Sequence, residues 1–184
     1  MPATRLDPDT ALILIDLQRG IVALPVVHPV AGIIAQANKL AAAFRRHQLP
    51  VILVNITGTA PGRTETPKMK DITPEWSELV TDLVRGAHDY AISKQTWGAF
   101  TGTGLETLLR RLGISQLVIA GIATSIGVES TARCAHELGF NVTLAVDAMT
   151  DRSLEAHENS IGRIFPRLGE TGTSSEIIGL LDSR

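Results

Sequence analysis

This sequence of 184 residues contains one cysteine, Cys134, and no strong excess of charge of either sign. One thiol cannot form an internal disulfide, so we expect a reducing, cytoplasmic environment rather than a disulfide-stabilised secreted fold. The formal net charge is −2, and the basic residues are mixed with acidic ones instead of forming a stripe. Because proteins bind a phosphate backbone through a continuous basic stripe, the composition argues against a nucleic-acid partner.

Long hydrophobic runs are also missing. No apolar run approaches the ~20 residues that span a bilayer, and the opening segment MPATRLDPDT has no apolar region typical of a signal peptide. We therefore expect no membrane association. Hydrophobic residues still make up 44% of the chain, which is enough for a sizeable core, and the length predicts a single domain over residues 1–184.

Short apolar runs alternate with helical patterns along the chain. Most of these runs are continuous, as expected for strands that are buried on both faces. Strands are predicted at 11–16, 50–56, 90–94, 116–123 and 141–148. Helices are predicted at 30–49, 74–84, 104–113, 127–139, 153–165 and 174–181. The alternation predicts an α/β fold of three layers, in which a parallel sheet carries helices on both faces.

Three candidate site positions lie at the ends of predicted strands. Asp16 ends the first strand, Lys94 ends the third, and the turn 122–127 follows the fourth. Ligands of such sheets bind beyond the carboxyl ends of the strands, so these positions are expected at one edge. Each also has an ordinary interpretation, as a helix cap, a solvated lysine or a glycine that serves backbone geometry.

Three motifs lie on these elements in the order LILIDLQRG, ISKQTWGAF and VIAGIATSIGVESTARCAHELGF. Together they resemble the isochorismatase-like hydrolase superfamily over nearly the whole chain. The resemblance implies a six-stranded, mostly parallel sheet and a catalytic triad of Asp, Lys and Cys. It assigns Asp16 and Lys94 to that triad, whereas Gly127 stands at the position of the nucleophilic Cys.

Further site residues are implied by the same resemblance. The backbone N–H groups of Ala123 and Gly127 match the family's oxyanion hole, and the peptide bond that joins Ile122 to Ala123 matches a cis bond. The expected substrate-binding residues are Gln18, Trp97, Phe100, Ile122 and Ser125. Trp97 and Phe100 could equally belong to the core or to a dimer interface, and the resemblance implies a homo-oligomer, a dimer or larger.

No residue near Gly127 is an obvious replacement nucleophile. Cys134 lies two helical turns further on, ~10 Å along the axis, and is expected to face the core as a small hydrophobe. Ser125 has no histidine near it in sequence, so we expect it to contact substrate or cap the turn. The polar stretch 57–74 carries Arg63, Lys68 and Lys70, which either meet a carboxylated substrate or are solvated.

No metal and no cofactor are expected. The histidines show no ligand spacing; they are His28, His47, His88, His136 and His157. Nicotinamidases of this superfamily place a metal-binding Asp/His cluster after the second strand, but the segment NITGTAPGRTETP contains no histidine. The sequence therefore argues against nicotinamidase activity.

Three functional hypotheses remain. The first is hydrolysis of a vinyl ether or a similarly acid-labile small molecule, with Asp16 as the acid and no covalent nucleophile, as the resemblance to true isochorismatases with Gly at this position implies. The second is an amidohydrolase whose nucleophile is replaced by Gly127, which would bind its substrate with little turnover. The third is a small-molecule-binding homologue without chemistry.

Overall fold

The computed structural model describes residues 3–69 and 71–184. Six strands form one sheet in the order β3-β2-β1-β4-β5-β6, and every pairing between neighbouring strands is parallel. The strands are β1 (Thr10–Ile15), β2 (Val51–Ile56), β3 (Tyr90–Lys94), β4 (Gln116–Ile122), β5 (Asn141–Thr150) and β6 (Glu170–Gly172). The predicted α/β fold with a parallel sheet is confirmed.

In the described residues, eight α-helices connect or follow these strands. They are α1 (Arg19–Val22), α2 (Val30–Arg46), α3 (Pro74–Ser77), α4 (Leu105–Arg111), α5 (Glu129–Glu137), α6 (Leu154–Asn159), α7 (Phe165–Leu168) and α8 (Ser174–Asp182). Two π-helical turns, Thr124–Val128 and Ser160–Ile164, lead into α5 and α7. The last helix is fixed at its start by a capping box, in which Thr173 and Glu176 bond reciprocally.

The core lies on both faces of the sheet because successive side chains of a buried strand point to opposite sides. Ile13 and Ile15 pack in a cluster with side chains from α4, α5 and α7. Leu12 and Leu14 pack in a second cluster with side chains from α2 and α8. This double burial explains why the strands are continuous apolar runs in the sequence.

The helix predicted at 74–84 is wrong beyond Ser77. Its start is right, since Pro74 occupies the first turn and the Thr73 side chain accepts from the Trp76 N–H. Past Ser77 the backbone turns to the end of β1, where Leu79 forms an antiparallel bridge with Gln18. These long-range hydrogen bonds replace the i→i−4 bonds that a longer helix would need.

The strand order reverses between β1 and β4, because the chain builds the sheet outward from β1 in both directions. At such a reversal the connections leave on opposite faces of the sheet and open a crevice at the carboxyl ends. The end of β1 and the turn after β4 therefore border the same crevice. Among the described residues, no helix has both the length and the hydrophobicity to cross a bilayer.

Candidate active site

Asp16 occupies the first position after β1 and is almost completely buried, with 4% of its surface exposed. Its backbone has φ 53°, a left-handed conformation that is uncommon for a residue other than glycine. The Asp16 N–H still donates to the carbonyl of Val54 on β2, at 2.9 Å. The chain thus changes direction at Asp16 while its backbone stays anchored to the sheet.

Lys94, the last residue of β3, reaches Asp16 across the edge of the sheet. Its Nζ donates to Asp16 Oδ2 at 2.7 Å and to the carbonyl of Thr96 at 3.1 Å. The ammonium has no exposed side-chain surface, so this is a buried ion pair. Within the described part of the chain, the other carboxylate oxygen, Oδ1, is buried without a hydrogen-bond partner.

The electrostatics of this pair are set by two opposing effects. Burial raises the pKa of Asp16 from its ordinary value of 3.8 to about 6, and the Lys94 ammonium limits the rise through its charge and its hydrogen bond. The carboxyl can therefore be protonated near neutral pH. A pKa in this range is typical of a carboxyl that acts as an acid or base.

The turn after β4 brings Gly127 against the same carboxylate. The peptide bond from Ile122 to Ala123 is cis, and the π-helical turn follows at once. A Cβ atom added at Gly127 would lie 3.3 Å from Asp16 Oδ2 and 2.9 Å from Ile15 Cγ2. Residue 127 is therefore close enough to Asp16 for a side chain there to exchange a proton with it.

Thr131 connects this turn to the segment that comes after Lys94. Its Oγ1 donates to the Gly127 carbonyl at 2.7 Å and accepts from the Ala99 N–H at 3.1 Å. Since Thr131 is fully buried, both bonds are shielded from water and fix the two segments relative to each other.

Three of the predicted substrate-binding residues are placed in structural roles. Gln18 is fully buried, and its amide bonds the N–H and the carbonyl of Ile56, at 2.7 and 3.0 Å. Phe100 and Ile122 lie in the two core clusters. These contacts give each of the three side chains a structural role, and their predicted contact with a substrate stays a prediction.

The other two predicted contact residues lie nearer to solvent. Trp97, with 61% of its surface exposed, lies just after the end of β3. Ser125 donates from its N–H and its Oγ to Asp151 Oδ2, at 2.7 and 2.8 Å. Cys134 packs against the core, where burial raises the pKa of its thiol, which makes it a poor nucleophile.

Asp151 and His157 are contact residues of the turn that sequence reasoning missed. Asp151 directly follows β5, and His157 Nδ1 is 2.8 Å from Thr124 Oγ1. Burial is the larger cause that lowers the pKa of His157, and the charge of the nearby His28 lowers it further. The signal for Asp151 was weak, because the strand was predicted to end at residue 148, whereas β5 continues to Thr150 and places Asp151 at its carboxyl end.

The described side chains do not form a metal cluster. No group of three or more His, Cys, Asp and Glu residues in residues 3–69 and 71–184 is arranged to hold a metal ion. In the polar loop, Lys68 donates to the carbonyl of Ala60 and Arg63 is exposed. Lys70 lies outside the described residues.

Comparison with known proteins identifies relatives over nearly the full length. The Isochorismatase domain family matches residues 10–176. The uncharacterized isochorismatase family protein YecD of Escherichia coli O157:H7 is 43% identical over 182 residues, which cover 94% of this chain and 96% of YecD. YwoC of Bacillus subtilis (strain 168), another uncharacterized protein of this family, is 38% identical over 177 residues, or 92% of both chains.

A solved structure gives the same result. An isochorismatase family protein from Burkholderia thailandensis superposes with a TM-score of 0.93 at 40% identity, over 97% of this chain and 98% of that one. The resemblance inferred from the three motifs is thereby confirmed. Since sequence and fold both match along almost the entire chain, the protein belongs to the isochorismatase family of hydrolases.

Proposed function

We propose that this family member hydrolyses a small-molecule substrate by acid catalysis from Asp16, without a covalent nucleophile. The observation that carries the proposal is the state of the Asp16 carboxyl, whose pKa is raised to about 6. Its Oδ2 accepts from Lys94, whereas Oδ1 is buried and unpartnered within the described part of the chain. A transferable proton would therefore reside on Oδ1.

A vinyl ether is the substrate class that suits such an acid. The Oδ1 proton moves to the vinyl carbon, which leaves an oxocarbenium ion and the Asp16 carboxylate. Water adds to the cation and returns a proton to the carboxylate, and the hemiketal then separates into a carbonyl compound and an alcohol. These steps need a positioned acid and a water molecule but no thiolate, which is compatible with glycine at position 127.

Lys94 and the turn supply the remaining functions. The Lys94 ammonium stabilises the carboxylate after it has given up its proton, since the two atoms are 2.7 Å apart in a buried pair. We assign the N–H groups of Ala123 and Gly127 to hold a substrate oxygen, as the family resemblance implies. The roles assigned to Asp16 and Lys94 predict that a substitution at either residue lowers turnover by more than its effect on protein stability would explain.

A second candidate function is supported by the position of residue 127. A cysteine there would have its Cβ 3.3 Å from Asp16 Oδ2, so Asp16 could accept the thiol proton directly. In this hypothesis the site is that of an amidohydrolase that lacks its nucleophile. A Cβ at Gly127 would lie 2.9 Å from Ile15 Cγ2 and 3.3 Å from Asp16 Oδ2, so both groups must move for a side chain to fit there.

The deciding experiment offers isochorismate and a panel of primary amides, ureides and carbamoyl compounds to the wild-type protein and to Gly127→Cys. Cys134→Ser in both backgrounds removes the other thiol as a control. Isochorismate turnover by the wild type that is lost in Asp16→Asn supports the vinyl-ether hydrolase. Amide hydrolysis that appears only in Gly127→Cys supports the amidohydrolase, and binding without turnover in either protein refutes both and favours the binding homologue.

We also propose that the protein assembles as a homo-oligomer, a dimer or larger, as the resemblance implies. Exposed apolar side chains lie beyond the carboxyl ends of three strands of the sheet: Trp97 after β3, Ile126 after β4 and Leu154 after β5. Light scattering coupled to size exclusion measures the mass. A mass of one chain across the micromolar range would refute the assembly.

A further inference from the structure

We propose that Asp151 is a positioning residue that holds the turn carrying Ala123 and Gly127 in its productive geometry. Asp151 directly follows β5 and is buried, with 3% of its surface exposed. It is not part of the triad positions or of the residues implied by the family resemblance. Its effect on turnover rests on the proposed function, whereas its effect on the turn can be measured without a substrate.

The Asp151 carboxylate binds two segments at once. Oδ2 accepts from the Ser125 N–H at 2.7 Å and from Ser125 Oγ at 2.8 Å. Oδ1 accepts from the N–H groups of Arg152 at 2.7 Å and Ser153 at 3.4 Å. Because an ionised carboxylate only accepts hydrogen bonds, all four of these donors are satisfied without a competing donor in the group.

These bonds join the turn to the sheet. Ser125 lies two residues before Gly127, and Asp151 directly follows Thr150, which pairs with Ile122 of β4. The backbone carbonyl of Asp151 also accepts from the Val27 N–H at 2.8 Å, which ties the Asp151 backbone to the segment before α2. The Asp151 carboxylate is therefore anchored at the end of β5, and its bonds to Ser125 hold the turn against that anchor.

A second contact acts on the adjacent residue of the turn. Thr124 Oγ1 is bonded to His157 Nδ1, so Thr124 and Ser125 are each held by a side chain from the segment after β5. This leaves residues 126–127 positioned by a backbone that is anchored immediately before them. A small displacement of this backbone would misplace the N–H groups by an amount that reduces turnover strongly.

The chain contains a matched control on the same strand. Asp147 of β5 accepts from the N–H and Oγ of Ser174 at 2.6 and 2.8 Å, which is the same pair of bonds. That contact fixes the start of α8 instead of the turn. Asp147→Asn therefore makes the same change, loss of the negative charge that strengthens such a pair of bonds, at the start of α8 instead of at the turn.

The first test is amide hydrogen exchange detected by mass spectrometry in Asp151→Asn and Asp147→Asn. An asparagine offers an N–H₂ group and a single oxygen, so it cannot accept all four bonds. We expect exchange in residues 123–128 to be about tenfold faster or more in Asp151→Asn and unchanged in Asp147→Asn. Unchanged exchange in residues 123–128 of Asp151→Asn would overturn the proposal.

The second test is steady-state turnover of isochorismate by the same variants. For Asp151→Asn we expect kcat to fall about tenfold or more with KM changed less than about threefold, and for Asp147→Asn we expect neither to change by more than about twofold. Ser125→Ala, which removes only the hydroxyl bond, is expected to lie between them and serves if Asp151→Asn folds poorly. Equal losses of kcat in the two aspartate variants would show a merely structural role and overturn the proposal.

The two tests separate this inference from the proposed function. If the wild type does not hydrolyse isochorismate but exchange still increases in the turn of Asp151→Asn, the vinyl-ether function fails and the positioning role stands. If isochorismate is hydrolysed and Asp151→Asn matches the wild type in kcat, the positioning role fails and the function stands.

Discussion

Removal of the Lys94 charge is predicted to raise the pKa of Asp16 and move its titration toward alkaline pH. The Nζ and Oδ2 atoms are 2.7 Å apart in a buried ion pair. An opposite charge at such a distance lowers a carboxyl pKa by about 1–3 pH units. Since the pair together gives a pKa of about 6, Lys94→Met should raise it to roughly 7–9. The carboxyl then takes up a proton, so the variant avoids an unpaired buried charge.

The assay is a nuclear magnetic resonance titration of protein that carries carbon-13 at the aspartate side-chain carboxyls. The resonance of Asp16 is assigned as the one that disappears in Asp16→Asn. Lys39→Met, which removes an exposed lysine on α2, is the control and should leave the Asp16 midpoint unchanged. If Lys94→Met titrated at the wild-type midpoint or below it, the argument that burial raises and Lys94 lowers this pKa would be refuted.

The same shift has a consequence for catalysis. If the protonated carboxyl is the acid, kcat/KM for isochorismate falls as pH rises through about 6 in the wild type. In Lys94→Met the fall should occur at higher pH, although the rate on the acidic plateau is lower because the ammonium no longer stabilises the carboxylate. An unshifted fall would mean that another group supplies the proton.

Four further predictions concern stability. Gly121 has φ 124° and a Cβ there would overlap the backbone of β1, so Gly121→Ala should destabilise the protein by more than about 3 kcal/mol. A Cβ added at Gly32 would have no neighbouring atom within 4 Å, so Gly32→Ala should stabilise α2 by about 0.5–1 kcal/mol. Thermal unfolding compares the two variants with the wild type. Because the folded pKa of Asp16 is raised above 3.8, its stabilising contribution is lost as pH rises from about 4 to 6, by about 3 kcal/mol in total. Denaturant unfolding should therefore show the wild type losing stability over that window relative to Asp16→Asn/Lys94→Met, and a constant difference would contradict this. Thr173→Ala removes the cap of α8 and should cost about 1 kcal/mol, measured in the same way with Gly32→Ala as the opposite-sign reference.

The sequence alone was sufficient to predict that Asp16, Lys94 and Gly127 lie at one edge of the sheet. Strands buried on both faces must be continuous apolar runs, and such runs show where each strand stops. Because parallel strands share one carboxyl edge, Asp16, Lys94 and Gly127 had to lie near each other once the strand order allowed it. The ion pair at 2.7 Å and the approach of Gly127 to Asp16 confirm this juxtaposition, while the catalytic roles of these residues remain predictions.

Local pattern was insufficient where contacts between distant segments compete with it. The segment 78–84 has helical periodicity, but Leu79 bonds to Gln18 instead. β6 is only three residues long, too short for an apolar run to mark it. In both cases hydrogen bonds to residues far away in the sequence outweigh a weak local preference.

The surroundings of the site residues were likewise decided only by the tertiary structure. The motif containing Gln18 indicated a substrate contact, yet its amide is used to join the ends of β1 and β2. Asp151 gave no motif, yet it holds Ser125 of the turn from a position 26 residues away in the sequence. A sequence specifies which side chains stand at a strand end, because that depends on neighbours along the chain. Whether such a side chain faces a ligand or forms hydrogen bonds with the backbone depends on the elements that the fold packs against it. Only the three-dimensional structure determines this.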